Sequence, residues 1–89
     1  MNFKLVLSKS ASKAVNRSVI TRDDLITIIK DTIKVFQGED IPIDIKKMSG
    51  KWKEHYRIKN GDIRIIFSFD FTSKTIRVKK IGNRGDIYK

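Results

Sequence analysis

The 89 residues include no Cys, one His, one Pro and five Gly, and 20 Lys plus Arg stand against 10 Asp plus Glu for a formal net charge of +10. A chain of this length builds one small domain, and the missing Cys and lone His exclude a disulfide scaffold, a Cys-ligated metal, thiol catalysis and a His metal cluster. The charge seeks polyanions, and it is lopsided: residues 1–45 hold seven basic and six acidic side chains (net +1), residues 46–89 thirteen and four (net +9). The partner is therefore expected on the C-terminal half.

In chain order, Phe3, Leu5 and Leu7 alternate with Lys4, Val6 and Ser8, which predicts a short strand with one buried face. The stretch SASKAVNR, residues 10–17, predicts a brief helix. Thr21 followed by Asp23 and Asp24 is a hydroxyl cap with acids in the first turn, where the dipole favours them. From there Leu25, Ile28, Ile29, Thr32, Ile33 and Phe36 recur at helical spacing as a core-facing stripe, and Gly38 marks the stop. Residues 37–51 have loop chemistry, with Ile41, Ile43 and Ile45 extended along the core. Residues 52–59, 63–70 and 75–81 are rich in aromatic and β-branched types and predict three strands. The N-terminal apolar stretch is too short for a signal sequence and nothing approaches the roughly 18 apolar residues of a membrane span, so a cytosolic protein with one domain over 1–89 is expected.

Asn60-Gly61 predicts a two-residue hairpin loop with positive φ at both positions. That loop sets Lys59 against Asp62, Ile58 against Ile63, Arg57 against Arg64 and Tyr56 against Ile65. Alternation then sends Tyr56, Ile58, Ile63, Ile65, Phe67 and Phe69 to the core and His55, Arg57, Lys59 and Arg64 to the other face. Like charges directly across a strand pair cost some tenths of a kcal/mol, so an anion between Arg57 and Arg64 is the expectation; two arginines splaying into water is the bland alternative. Arg84 and Tyr88 follow the last strand, where the tail either packs back along the sheet or frays.

Three stretches, SGKWKEHYRIKNGDIRIIF from Ser49 to Phe67, then TIRVKKI, then IGNRGDIYK, resemble the RelE/ParE superfamily of type II toxins, and within it the RelE branch of ribosome-dependent mRNA endoribonucleases. They span about half the chain; the first half is similar only in layout. The resemblance implies an α+β fold, an N-terminal strand and two helices packed on a twisted antiparallel sheet. It also implies RNA on one sheet face, a cognate acidic antitoxin, the ribosome and mRNA as partners, and neither metal nor cofactor. Cleavage in the family is attack of a ribose 2′-OH on the adjacent phosphate. Carried over by position, Arg57 and Lys59 match the family's basic pair on the first hairpin strand, Arg64 the arginine on the return strand, and Arg84 and Tyr88 the C-terminal arginine and tyrosine.

The implied roles follow charge state. Arg57 and Arg64, permanently protonated, clamp phosphate; Lys59, crowded by guanidinium groups that disfavour its charged form, is the base. Arg84 stabilises the leaving oxygen and supplies its proton, and Tyr88 stacks on a nucleotide. Lys51, Trp52, Lys53, Arg77, Lys79 and Lys80 are candidate ribosomal RNA contacts, each with an ordinary solvated position as its alternative. His55, on the predicted face of Arg57 and Lys59, joins them as a candidate RNA contact and a possible substitute base. The chain departs from the family at Arg57, where some members have lysine, and at Asn83, where many have histidine. Two rivals stay open: a ParE-like gyrase inhibitor of the same fold, and a non-catalytic nucleic-acid-binding module.

Overall fold

The computed structural model describes residues 3–85. Strand β1 (Lys4–Leu7) leads into helices α1 (Lys9–Asn16) and α2 (Arg22–Phe36), followed by β2 (Asp44–Lys47), a 3-10 turn (Gly50–Trp52), β3 (Tyr56–Asn60), β4 (Ile63–Asp70) and β5 (Thr75–Asn83). The five strands form one sheet in the order β1-β5-β4-β3-β2. β1 runs parallel to β5 and the other pairs are antiparallel, so the sheet is mixed rather than purely antiparallel.

Both helices are fixed by local chemistry. The Ser8 hydroxyl accepts from the Ala11 N–H at 3.0 Å and the Thr21 hydroxyl from the Asp24 N–H at 3.1 Å, each satisfying a donor that helix geometry leaves free. α2 stops in a Schellman arrangement: Glu39 N–H reaches the Lys34 carbonyl and Gly38 N–H the Val35 carbonyl, with Gly38 at φ 94°. α1 stops the same way, but Ser18 takes the left-handed position at φ 61°. The apolar stripe of α2 lands on the sheet, where Leu25, Ile28, Ile29 and Ile33 join Ile58, Ile65, Phe67, Ile76, Val78 and Ile81 in one core. The Thr32 hydroxyl, sealed within it, donates to the Ile28 carbonyl at 2.8 Å. Phe36 closes one end of this layer against Tyr56, Phe69 and Phe71, with ring centroids 5.2, 5.2 and 5.9 Å away.

Residues 44–47, expected in a connector, form edge strand β2, with Ile45 against Ile58. The strand expected from residue 52 begins at Tyr56, because Gly50–Trp52 coils into the 3-10 turn. The hairpin register also differs. Asn60 pairs with Ile63, Lys59 with Arg64, Ile58 with Ile65, Arg57 with Ile66 and Tyr56 with Phe67, so the loop is Gly61-Asp62 and Arg57 does not face Arg64. Gly61 has φ 59°, whereas Asn60 and Asp62 have no positive φ, the pattern of a type II′ turn with glycine at its first central position. This register stacks Tyr56 on Phe67 at 5.5 Å, a contact the expected pairing would have broken. It differs by one residue pair, so every side chain keeps its face. β5 carries a bulge opposite Ile66 and Phe67 that leaves Lys79 unpaired.

Candidate nucleic-acid interface

The face turned away from the helices reads as rows across the sheet. One row runs Asp44 on β2, Lys59 on β3, Arg64 on β4 and Gly82 on β5; the next runs Lys46, Arg57, Ile66 and Lys80; a third holds Ser68, Arg77 and Val6 of β1. Lys59 and Arg64 are direct partners with Cα atoms about 5 Å apart. Arg57 stands two residues, or about 7 Å, along β3 from Lys59. Three predicted site residues therefore share one sheet face within two neighbouring rows.

Their environments differ. Arg64 is only 8 % exposed, and its Nη1 donates to the Gly61 carbonyl at 2.6 Å and the Ile63 carbonyl at 3.1 Å. The guanidinium is thus anchored to the hairpin loop by one nitrogen, which leaves Nε and Nη2 to present to a ligand. Gly82, its partner on β5, projects no side chain against it. Arg57 has its Nη2 3.9 Å from an Asp44 carboxylate oxygen, while its Nε is sealed from solvent with no partner among the described residues. Lys59 is exposed and forms no hydrogen bond or ion pair among the described residues. Arg64 folds back on the loop, and Arg57 leans towards Asp44, the cross-strand partner of Lys59. Ile66, fully buried between the register positions of Arg57 and Lys80, gives this face an apolar floor.

Arg84 follows β5 directly, and its N–H donates to the Asp62 carbonyl at 2.7 Å. The hairpin loop is thereby pinned from both sides, by the backbone of Arg84 and the side chain of Arg64, and exposed Arg84 leaves the sheet beside that loop. Tyr88 lies outside the described residues.

The remaining candidates do not form one surface. Lys51 and Lys53 are exposed around the 3-10 turn, with Lys51 Nζ 5.9 Å from the Trp52 ring centre. His55 is half-buried edge-on to Trp52 at 5.4 Å. Its Nδ1 is 3.1 Å from the Lys53 carbonyl, to which it can only donate, and its Nε2 is buried without a partner among the described residues. The loop thus uses His55 for its own packing, precluding the free approach a base needs. Arg77 is exposed in the third row, about 13 Å along the sheet from the Arg64 row. Lys79 sits in the bulge, its carbonyl accepting from the Ser8 hydroxyl at 2.7 Å. Lys46 and Asp44, which flank Arg57 and Lys59, escaped the sequence reading; the Ile43, Ile45 alternation was the available signal.

No family model matches the sequence, and no curated protein does. Solved structures match its fold. A chain of an archaeal RelE-RelB complex from Pyrococcus horikoshii is 23 % identical over 97 % of this chain and 99 % of that one, with a TM-score of 0.61. A copper-bound mutant toxin from Helicobacter pylori is 18 % identical over 92 % and 94 %, TM-score 0.70. A chain of the YoeB-YefM complex from Staphylococcus aureus is 13 % identical over 94 % and 99 %, TM-score 0.64. The chain has the fold of the RelE-type toxins.

Proposed function

We propose that this chain is the toxin of a type II toxin-antitoxin pair and cleaves mRNA on the ribosome. The observation that supports this reading best is the Lys59-Arg64 pair on one sheet face, with Arg57 one row along it and Arg84 beside the loop. Cleavage needs a base for the ribose 2′-OH, cations for the charge that builds on phosphorus, and a proton for the departing 5′ oxygen. The 2′-oxygen bonds to phosphorus as the bond to the 5′ oxygen breaks, leaving a 2′,3′-cyclic phosphate and a 5′-hydroxyl. Arg64 and Arg57 hold the non-bridging oxygens, the former steadied by its two carbonyl bonds so that little reorganisation is needed at reaction. Lys59 takes the 2′-OH proton, since an arginine keeps its own throughout the accessible pH range. Arg84 neutralises charge on the leaving oxygen; because an arginine keeps its own proton, water rather than Arg84 supplies the proton that the oxygen takes up. Tyr88 stacks on a nucleotide of the message. The cognate antitoxin is acidic, because covering so basic a half with a neutral partner would leave desolvated charges unpaired.

The test is a cell-free translation reaction with primer extension on the message. Codon-spaced breaks with the parent that vanish with Lys59→Ala and Arg84→Ala are the expected result. An intact message with the parent overturns the reading, and inhibition of DNA supercoiling by that same protein would replace it with the gyrase alternative.

A further inference from the structure

Helix α1 carries a second cationic surface, apart from the sheet-face site. Lys9, Lys13 and Arg17 recur at four-residue steps, so they stand in line on one helix face about 6 Å apart. All three are exposed, and none forms an ion pair or hydrogen bond through its side chain among the described residues. Together with Ser10, Ala14, Val19 and Ile81 they line an open cleft of about 520 Å³ that has no acidic side chain among the described residues of its wall.

Three physical features argue against a merely solvated face. α1 contains no Asp or Glu, so the like-charge neighbours Lys9/Lys13 and Lys13/Arg17 repel without compensation. Lys9 occupies the first helical position, where the partial positive charge of the helix terminus opposes it. The ridge is also held rigidly against the sheet. β1 ends its pairing at Val78; beyond that point Ser8 N–H donates to the Val78 carbonyl and Ser8 Oγ to the Lys79 carbonyl, tying the start of α1 to β5. The helix then covers the free margin of β5 down to Ile81.

We infer that the α1 ridge Lys9-Lys13-Arg17 is a docking surface for the phosphate backbone of structured RNA, distinct from the sheet face. Three pre-aligned cations, spaced comparably to successive phosphates of a strand, match a polyphosphate track. This assignment is independent of the cleavage chemistry, and its test reads binding alone.

A fluorescein-labelled RNA hairpin with an A-form stem is titrated with the full chain by anisotropy across a salt series. The Lys9→Gln, Lys13→Gln, Arg17→Gln triple variant should lower the slope of log affinity against log salt by about 2 to 3, since each lost phosphate contact removes nearly one released counterion. A charge-matched control, Lys4→Gln, Lys30→Gln, Lys34→Gln, should change that slope by less than one. Equal slopes for the two triple variants would show that net charge alone matters and would overturn the inference, as would parental binding by the α1 triple. The α1 triple should also melt at or above the parental temperature, because it removes repulsion; a marked drop would give the ridge a structural role and overturn the inference too. Single variants, each taking about a third of the effect, supply the same reading if the triple does not fold.

Discussion

Arg64→Lys separates the two duties of the most buried cation on the sheet face. The substitution keeps the charge and loses the planar fork. In the parent, one guanidinium nitrogen makes bonds of 2.6 and 3.1 Å to the carbonyls of Gly61 and Ile63. Both are charge-assisted, but Gly61 is exposed and its carbonyl can be rehydrated, so the joint loss is about 1 to 2 kcal/mol rather than the full cost of stranding buried acceptors. For a domain of this size, that corresponds to a fall in Tm of about 5 to 15 °C. Cleavage measured at 25 °C, below the melting transition, should drop by about ten- to a hundredfold, because a lysine offers a point charge in place of the two N–H groups proposed to meet the phosphate. Circular dichroism melting reports the first effect and primer extension the second. An unchanged Tm would show that the carbonyl bonds do not brace the loop. Undiminished cleavage by a folded variant would remove Arg64 from the phosphate-binding set.

Two further outcomes follow from backbone and carboxylate chemistry. Ser18→Gly should raise stability by about 0.5 to 1 kcal/mol, seen as a higher urea midpoint at unchanged slope, because Ser18 holds a left-handed conformation at φ 61° that glycine adopts freely; a lower midpoint would mean that the serine side chain has a role of its own. Hydrogen bonds from Ser73, and to a smaller extent from Thr72 together with the nearby Arg77 charge, outweigh desolvation and hold the Asp70 carboxyl below the ordinary carboxylate range. The carboxyl is depressed in the folded state, so its contribution is complete above that range and is lost as pH falls through and below it. Asp70→Asn should therefore be less stable than the parent at neutral pH, and the gap should close in acid; a gap that stays constant from pH 7 to pH 3 would contradict this linkage.

What the sequence reveals here depends on the range of the interaction that decides each feature. The helix start at Thr21 and the stop at Gly38 are local hydrogen-bonding choices, and they read directly from residue type, whereas Ser8, expected in the first strand, caps a helix that begins at Lys9 rather than at Ser10. Face assignment needs only period-two alternation, so Arg57, Lys59 and Arg64 land together despite a misplaced turn. The register itself was not legible. Both Asn60-Gly61 and Gly61-Asp62 are competent loops, and the decision rests on Tyr56 meeting Phe67 and Ile58 meeting Ile65. β2 lies in a stretch whose loop chemistry predicts a connector, and its sequence, DIKK, gives an edge strand only one apolar residue to bury, too weak a signal to overturn that expectation. The bulge at Lys79 is met by a hydrogen bond from Ser8, 71 residues away in sequence, a pairing that no local pattern signals.

The α1 ridge shows a different failure, since its four-residue spacing is plain in the sequence. Summing charge over residues 1–45 gives +1, which hides three cations on one helix behind the acids of α2 and its flanking loops. Net charge is a sum, but the field a phosphate backbone meets depends on which side chains share a face. α2 presents Asp23, Asp24 and Asp31, whereas α1 presents no acid at all. Helical phase, applied to charge as it was to the apolar stripe of α2, would have separated the two helices before any coordinates. The same accounting leaves this small fold two cationic surfaces of different character. The sheet face presents an arginine fixed by two carbonyl bonds, and the helix ridge presents evenly spaced cations on an element tied to β5. Gripping the RNA framework through α1 would leave Lys59, Arg64 and Arg84 free to act on a separate, single-stranded segment. Loss of the ridge should then weaken association far more than it slows cleavage of RNA already bound.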